Sequence, residues 1–452
     1  LLIADNGQRI TQWFATGAGP RLEEIRSFEL SDNVRSIVPE PRRKGFLTLD
    51  ESYTLTLLHS TTSRALASRK LTQPLAAGPL LALSPRADVF LAATGPDEVL
   101  SFRLSNEHPE VSFSALFGRV WYEGYSEPVH SWQSSSADND FEPKFSLTPL
   151  LFGTLKAAFY AMLFAVPIAV LGALYTAYAM APAMRSFVKP TVEIMAALPT
   201  VILGFLAGLW LAPIVEANLA GIGLAVLLLP LVIVMISVFV TQLPSAYQAR
   251  LQGWYGLLMV PMVLLTVSAA LTLGPPLEQA LFAGDLPEWL DVHLGLPYDQ
   301  RNALVVGVAM GFAVIPTVFA IAEDAIHGVP RHLVNGSLAL GATRWQTLSR
   351  VVMVTASPGI FSALMIGTGR AVGETMIVLM ATGNTPIMDL NLFEGMRTFA
   401  ANIAIELPES EVGGSHYRIL FLAAFVLFLL TFLFNTIAEL VRQRLRDRYG
   451  AL

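Results

Sequence analysis

The sequence contains no cysteine and few charged residues. With no cysteine in 452 positions, disulfides, thiolate metal sites and cysteine nucleophiles are excluded. Charged residues make up only 14% of the chain and hydrophobic residues 54%, whereas a soluble domain has about 25% charged residues. The chain also has no Gly-x-x-x-x-Gly-Lys-Ser/Thr loop and no basic stripe, so we expect neither ATP hydrolysis by that route nor nucleic-acid binding. Much of the chain is therefore predicted to face lipid.

Residues 1–105 are predicted to form an all-β domain with an internal repeat. Three stretches share an apolar strand, a turn rich in Asp, Asn or Gly, and a second, alternating strand: 2–13, 47–57 and 91–102. Their spacing is 45 residues from Asp5 to Asp50 and 44 from Leu47 to Leu91, which is typical of β-propeller blades. Because a ring takes about four to eight blades, we expect either further blades upstream, which is the simpler account, or a partial propeller that other surfaces complete. An ordinary sandwich with evenly spaced hairpins is the alternative.

Residues 106–148 connect this domain to the apolar part of the chain. They contain a cluster of aromatic residues among polar ones: Trp121, Tyr122, Tyr125, Trp132, Phe141 and Phe145. Aromatic rings with polar tips favour the bilayer interface, so we expect a connector that lies on the membrane surface. A loop packed under the β domain is the alternative.

Residues 149–452 are predicted to form a polytopic helical membrane domain. Crossing the hydrocarbon core takes about 20 helical residues, and seven apolar segments are long enough: 150–180, 188–213, 221–243, 254–274, 302–323, 357–381 and 417–441. Basic residues are concentrated in the loops on one side: Arg185, Lys189, Arg250, Arg331, Arg344, Arg350, Arg442, Arg444, Arg446 and Arg448. The positive-inside rule makes that side cytoplasmic, which places the β domain outside and the C-terminus inside. An outward N-terminal domain further predicts an anchor helix upstream of the given sequence.

The loop 324–350 is too apolar for a segment that meets only water. Gly341 separates two short helical stretches and can take the left-handed conformation that ends one helix and redirects the chain. Apolar side chains lie on both sides of it: Leu333, Val334, Leu338, Leu340, Trp345 and Leu348. A compact apolar helix-turn-helix is expected to dock in a partner's groove, with folding back onto its own bundle as the alternative.

The sixth span contains two charged residues. Arg370 lies about halfway along the predicted helix, where insertion of an arginine costs about 2.5–3.5 kcal/mol, so we expect it to face protein or water. Glu374 follows four residues later and is expected on the same face. Gly367, Gly369 and Gly373 leave room for close packing or for a ligand. Arg370 and Glu374 form either a buried ion pair that fixes the register of the helix, or part of a path. In such a path the planar guanidinium binds a phosphate through two hydrogen bonds.

The loop resembles the coupling motif of ABC-importer permeases. Asn335, Gly336 and Ser337 stand where that motif has Glu-Ala-Ala, Gly341 stands at its glycine, and Val354 replaces its usual proline. The following residues are very close to those of phosphate-importer permeases: Gly341, Ala342, Thr343, Arg344 and Trp345. The resemblance implies a loop that binds a separate ATPase subunit.

Three further motifs resemble Pst-type phosphate permeases. Gly369–Thr375 resembles that family's arginine-glycine-glutamate motif, Ala197–Val201 with Gly204 its second core signature, and Phe152–Leu155 the start of its core. The resemblance implies a helical bundle of the MetI-like type, with a translocation path at Gly369, Arg370, Gly373, Glu374 and Thr375. Pro199, Gly204 and Pro316 are expected to serve core packing and kinks. The third and fourth spans and the β domain lie outside the resemblance, which suggests an enlarged variant.

As a whole, the resemblance implies the permease subunit of an ATP-driven importer of inorganic phosphate in a bacterial inner membrane, without a cofactor or metal of its own. Its implied partners are a second, similar permease, two ATPase subunits and a periplasmic phosphate-binding protein. Three alternatives stay open: an ion-coupled secondary anion transporter gated by Arg370 and Glu374, a permease for sulfate or another oxyanion, and a membrane-anchored binding scaffold.

Overall fold

The computed structural model describes the chain except residues 6–7, 17–20, 41–42, 73–80, 86–87, 94–97, 137–140, 245–254 and 450–452. It consists of two compact units. The first comprises Leu1–Pro149 with Glu406–Ala423, and the second Leu150–Ile405 with Ala424–Leu452. The predicted turn at Asn6 and Gly7, the turn at Gly95, and Arg250 lie outside the described residues.

Residues 1–105 of the first unit contain three antiparallel sheets whose strands follow one another in chain order. They are β1 (Leu2–Ala4), β2 (Arg9–Thr16) and β3 (Arg21–Glu29); β4 (Val34–Pro39), β5 (Gly45–Asp50), β6 (Thr54–His59) and β7 (Arg64–Lys70); and β8 (Leu81–Leu83), β9 (Val89–Ala93) and β10 (Val99–Arg103). The predicted hairpins are confirmed as the pairs β1–β2, β5–β6 and β9–β10. All three sheets are open, so the described residues form no closed propeller ring.

The central strands β5 and β6 of the middle sheet are buried on both faces. Phe46 and Leu58 pack with Ile10 and Phe28 of the first sheet. On the other face, a second cluster joins the middle sheet to the third: Leu47, Leu49, Leu55, Leu57, Phe90 and Ala92. Strands covered on both faces read as continuous apolar runs, which is the pattern of Leu55 through Leu58 with Thr56 between them. The three repeats therefore stack face to face.

The aromatic connector packs within the first unit. It contains α1 (Phe113–Phe117), β11 (Trp132–Gln133) and β12 (Lys144–Phe145). Tyr122, Trp132 and Phe145 are buried, and the Trp132 indole N–H donates to Glu406 Oε1 at 3.0 Å. These three aromatic side chains therefore contact protein, and the expected position of the connector on the bilayer surface stays a prediction.

The second unit is helical. Its elements are α2 (Thr148–Leu174), α3 (Pro182–Met195), α4 (Thr200–Leu206), α5 (Ala212–Ala217), α6 (Leu219–Thr241), α7 (Tyr255–Leu281), α8 (Leu286–Leu294), α9 (Ala303–His327), α10 (Arg331–Ala339), α11 (Arg344–Thr347), α12 (Met353–Gly373), α13 (Met376–Ala381), α14 (Phe399–Glu406) and α15 (Ser415–Tyr449), with π-helical turns at Tyr175–Ala179, Ala207–Leu211 and Leu348–Val352. Within the part of the chain that the structure describes, seven continuous helical segments are long and apolar enough to span a membrane, as predicted.

Two predicted spans have different bounds in the structure. The segment 188–213 is divided, because α3 ends at Met195 and the chain turns before Pro199, which caps α4 and is not a kink within a helix. The sixth span runs from Arg344 to Gly373, and α12 ends there instead of continuing to 381. Hydropathy alone merged these breaks into longer runs because apolar residues stand on both sides of each break.

The core of the bundle forms around α9, the most buried of the seven spans. An alanine repeats every four residues along α2 and leaves a flat stripe: Ala157, Ala161, Ala165, Ala169 and Ala173, all buried. Gly307 and Gly311 of α9 lie against Tyr160 and Phe164, where a side chain at either glycine would clash. Small residues on both helices let the two backbones approach closely. Pro316 is buried within α9, which continues past it.

The third and fourth spans, α6 and α7, pair with each other at Gly221 and Gly274. A Cβ added to Gly274 would lie 2.8 Å from the Gly221 backbone. Few side chains of either helix are buried. This hairpin is a peripheral addition to the bundle, in line with its place outside the sequence resemblance.

Candidate translocation site

The centre of the candidate site is the point where α12 ends inside the bundle. Arg370 lies in the last turn of α12, where a cation interacts favourably with the helix dipole. Its Nη1 donates to Thr317 Oγ1 of α9 at 2.7 Å. Thr317 is 14 residues from the start of α9 and 10 from its end, about 21 and 15 Å at 1.5 Å per residue. Arg370 is therefore near the middle of the bundle, as predicted, although it is not in the middle of its own helix.

Glu374 does not share a helix face with Arg370. Its backbone is extended, with ψ 128°, so the i,i+4 geometry expected from the sequence is lost. Its carboxylate instead caps α13, where Oε1 accepts from the backbone N–H groups of Met376 at 3.2 Å and Ile377 at 3.5 Å. Among the described residues Arg370 has no carboxylate within ion-pair distance. The alternative that Arg370 and Glu374 form an ion pair that fixes helix register is therefore wrong.

The glycines around Arg370 have different surroundings. A Cβ on Gly367 would lie 2.5 Å from Val318 Cγ2, so this glycine allows α12 to pack closely on α9. At Gly369 the nearest atom would be Asn435 Oδ1 of α15, at 3.3 Å. Gly373 and Thr375 flank the break, where the Thr375 hydroxyl donates to the Gly373 carbonyl at 3.3 Å. Gly204 lies against the backbone of Met376, which fits its predicted packing role.

Sequence reasoning missed Thr317, Asn435 and Lys156, although polar residues inside apolar spans signalled each of them. Thr317 follows Pro316, and Asn435 ends a long apolar run in the last span. Lys156 lies in α2, is 2% exposed and donates to the Glu394 carbonyl at 3.4 Å. Such residues within membrane helices mark internal contacts or paths.

A second charged cluster lies further along α9. Glu323 is fully buried, and its carboxylate is 2.5 Å from Arg185 Nη2 and 2.9 Å from Lys189 Nζ. Lys189 is also 2.5 Å from Asp324 Oδ1, and the hydrogen bonds to Asp324 and Glu323 raise the pKa of Lys189. Arg185 and Lys189 belong to α3, one turn apart, so both point at α9. In this cluster two carboxylates balance two cations.

The loop between α9 and α12 forms the predicted helix-turn-helix. Gly341 is left-handed, with φ +87°, and separates α10 from α11. Thr343 caps α11 and forms a capping box with Gln346. Asn335, Gly336, Arg344 and the residues of the Gly341 turn are largely exposed, and the Ser337 hydroxyl pairs with Thr347 at 3.0 Å.

The apolar residues of this loop have two fates. Val334 and Leu348 are partly buried and pack against the core of the chain's own bundle, and Leu333 is partly buried. Leu340 and Trp345 are 92% and 71% exposed. Exposed large apolar side chains beside a rigid turn are typical of an interaction surface.

The family model described as "Binding-protein-dependent transport system inner membrane component" matches residues 254–447, which contain α9, the loop and the Arg370 site. Over these residues the chain is similar to the inner-membrane components of binding-protein-dependent transport systems. Together with the seven apolar helical segments, this match indicates a multi-pass inner-membrane permease domain of the MetI-like type.

Curated relatives are identical to this permease at about a quarter of the aligned residues. The probable ABC transporter permease YqgH of Bacillus subtilis is 23% identical over 68% of this chain and 74% of its own. The phosphate transport system permease PstC of Mesorhizobium japonicum is 26% identical over 75% of this chain and 85% of its own. PstC 1 of Mycobacterium bovis is 29% identical over 50% of this chain and 70% of its own.

Among solved structures, one of the inward-facing MetNI methionine ABC transporter aligns with 66% of this chain and 94% of its own. The TM-score is 0.34 and the sequence identity 15%. That score is too low to support a comparison of the two structures element by element.

Proposed function

We propose that this permease moves inorganic phosphate across the inner membrane as one of two similar subunits in an ATP-driven importer. The observation that carries the proposal is Arg370, a cation near mid-membrane whose partner among the described residues is a neutral hydroxyl. The names of relatives such as PstC point to the same cargo.

An arginine without a carboxylate partner in a membrane bundle can bind an anion. Its guanidinium has five N–H donors in a planar fork, and the hydrogen bond to Thr317 uses a single one of its nitrogens. A tetrahedral oxyanion can accept two parallel hydrogen bonds from such a fork. Because Glu374 is held by the α13 backbone, it leaves the charge of Arg370 uncompensated. Gly369, Gly373 and Thr375 border the same break and complete the proposed path.

The test is phosphate uptake by liposomes that contain the assembled importer with the Arg370→Gln permease. We expect uptake to fall by about 100-fold, since a hydrogen bond to a charged group contributes about 1.5–3 kcal/mol. Arg301→Gln, which removes an exposed arginine, is the matched control and should retain uptake. Uptake at the unmodified rate by a normally inserted Arg370→Gln variant would contradict the proposal.

The same liposomes separate the alternatives. Phosphate uptake should require ATP on the side of the liposome membrane that the ATPase subunits face. It should persist when the proton gradient is collapsed. A secondary transporter predicts the reverse dependence. Sulfate in excess should leave phosphate uptake unchanged if phosphate is the cargo, and should compete if the permease carries oxyanions in general.

We further assign the exposed face of the loop 324–350 to the ATPase subunit. Leu340 and Trp345 supply apolar anchors beside the rigid turn at Gly341. This assignment places the loop in the cytoplasm and the β domain in the periplasm, in agreement with the positive-inside rule. A Trp345→Ala permease should lose co-purification of the ATPase, whereas His332→Ala, in the same loop, should keep it. Retention of the ATPase by Trp345→Ala would refute the assignment.

For the first unit we propose that each repeat is one blade of a propeller. The support is the middle sheet, a four-stranded meander covered on both faces by its neighbours. Detection of a closed ring in a structure of the full-length protein is the test, and a two-layer sandwich there would overturn it.

A further inference from the structure

The last span, α15, contains an amide whose surroundings differ from those of its other polar residues. Asn435 lies within the span Ser415–Arg444 and is exposed. No hydrogen-bond partner for its side chain is found among the described residues. Thr431 and Thr436, on either side of it, donate to the carbonyls of Phe428 and Phe432 at 2.9 and 2.8 Å.

An unpartnered amide is costly at this depth. A polar side chain in hydrocarbon loses its bonds to water, so intramembrane amides bond across helices or face a polar path. The two threonines satisfy their hydroxyls within their own helix and are compatible with lipid. In the described structure the Asn435 amide makes no hydrogen bond to a carbonyl of its own helix. We therefore expect its partner to be a polar group from outside the chain.

The position of Asn435 relates it to the Arg370 site. Its Oδ1 lies 3.3 Å from the point where a Cβ on Gly369 would stand. Gly369 is the residue before Arg370, so α15 meets α12 beside the arginine. The absence of a side chain at Gly369 is what allows the amide to approach this closely.

We infer that Asn435 is a further anion-contacting residue of the translocation site and binds the same tetrahedral oxyanion as Arg370. The inference rests on the proposed function. Its NH₂ group supplies two donors, and Thr317, whose oxygen accepts from Arg370, still has its own hydroxyl proton to donate. Donors from α9, α12 and α15 then converge on the anion, and no carboxylate among them opposes its charge.

The test is Asn435→Leu in the assembled importer, with KM and kcat for phosphate uptake measured separately. We expect KM to rise about tenfold, since losing one hydrogen bond to a charged ligand costs about 1.5 kcal/mol. Because leucine is better accommodated by lipid than an amide, the thermal midpoint of the permease should stay the same or rise. Thr436→Val is the matched control and should leave KM unchanged, and Asn435→Gln should recover part of the loss.

Two results would overturn the inference. An unchanged KM in Asn435→Leu would make the amide a lipid-facing residue, and loss of co-purification of the second permease with normal KM would make it a subunit contact. The Arg370→Gln variant separates failure of the inference about Asn435 from failure of the proposed function. If that variant loses uptake while Asn435→Leu does not, the inference fails and the proposed function stands. If Arg370→Gln transports normally, the proposed function itself fails.

Discussion

Two charged sites lie along α9, one where it meets α3 and one where it meets α12. They differ in how their charges are balanced. At Glu323 a buried carboxylate is held by Arg185 and Lys189 of α3. At Thr317, six residues earlier and about 9 Å away along α9, Arg370 of α12 bonds to a hydroxyl alone among the described residues.

The difference separates structural charge from functional charge. A buried charge with partners ties two helices together, and removing one partner leaves the others uncompensated. A charge without a counter-ion is costly to the fold and is retained where a ligand supplies the balance. The two sites should therefore respond in opposite ways to substitution: the Glu323 site through stability and the Arg370 site through transport.

The largest expected effect is at Glu323. Glu323→Gln should destabilise the permease by about 3–5 kcal/mol, because Arg185 and Lys189 lose the carboxylate buried between them. The loss should appear as a lower thermal midpoint of the purified permease and as lower abundance in membranes. Asp324→Asn is the matched control, since this carboxylate is largely exposed and contacts Lys189 alone in the cluster, and should cost about 1 kcal/mol or less. Equal losses in the two variants would erase the distinction between the sites.

Arg370→Lys should affect transport and spare stability. The variant keeps the charge but loses the planar fork, so uptake should fall about tenfold with an unchanged thermal midpoint. In Arg185→Lys the cation can still reach Glu323, and both uptake and stability should remain close to those of the unmodified permease. Normal uptake by Arg370→Lys would show that the site needs a positive charge and not guanidinium geometry.

The smallest expected effect is at Thr317. Thr317→Val keeps the shape of the side chain and removes the 2.7 Å hydrogen bond to Arg370. Uptake should fall about three- to tenfold, in line with about 1 kcal/mol for one hydrogen bond. Thr368→Val provides the control, because that hydroxyl donates to Leu364 within its own helix. A similar fall in both variants would argue against a positioning role for Thr317.

The sequence predicted the number of spans and the helix-turn-helix at Gly341 because both depend on local properties. A span needs a sufficient run of apolar residues, and the turn needs a residue that tolerates positive φ. The sequence also predicted the hairpin repeat in the first unit, because hairpins depend on short-range alternation and turn residues. Closure of the strands into a ring depends on how distant segments pack, and alternation within one hairpin contains no information about it.

The Arg370 site shows the limit of such patterns. Periodicity placed Glu374 on the same helix face, but α12 ends at Gly373 and the carboxylate caps α13. An apolar run cannot show where a membrane helix breaks, because residues on both sides of the break face the same hydrocarbon. The balanced cluster at Glu323 was equally invisible, because its cations come from α3, more than a hundred residues earlier.

By itself, the sequence predicted seven membrane-spanning segments, an apolar helix-turn-helix loop and an arginine that lipid alone would not accommodate. Tertiary structure decided which charges have partners. That outcome depends on contacts between helices far apart in the chain: α9 meets α3 at Glu323, α12 at Thr317, and α15 reaches Gly369. Local composition sets whether a segment enters the membrane, whereas the balance of a buried charge is set by whichever side chains packing brings within a few ångströms.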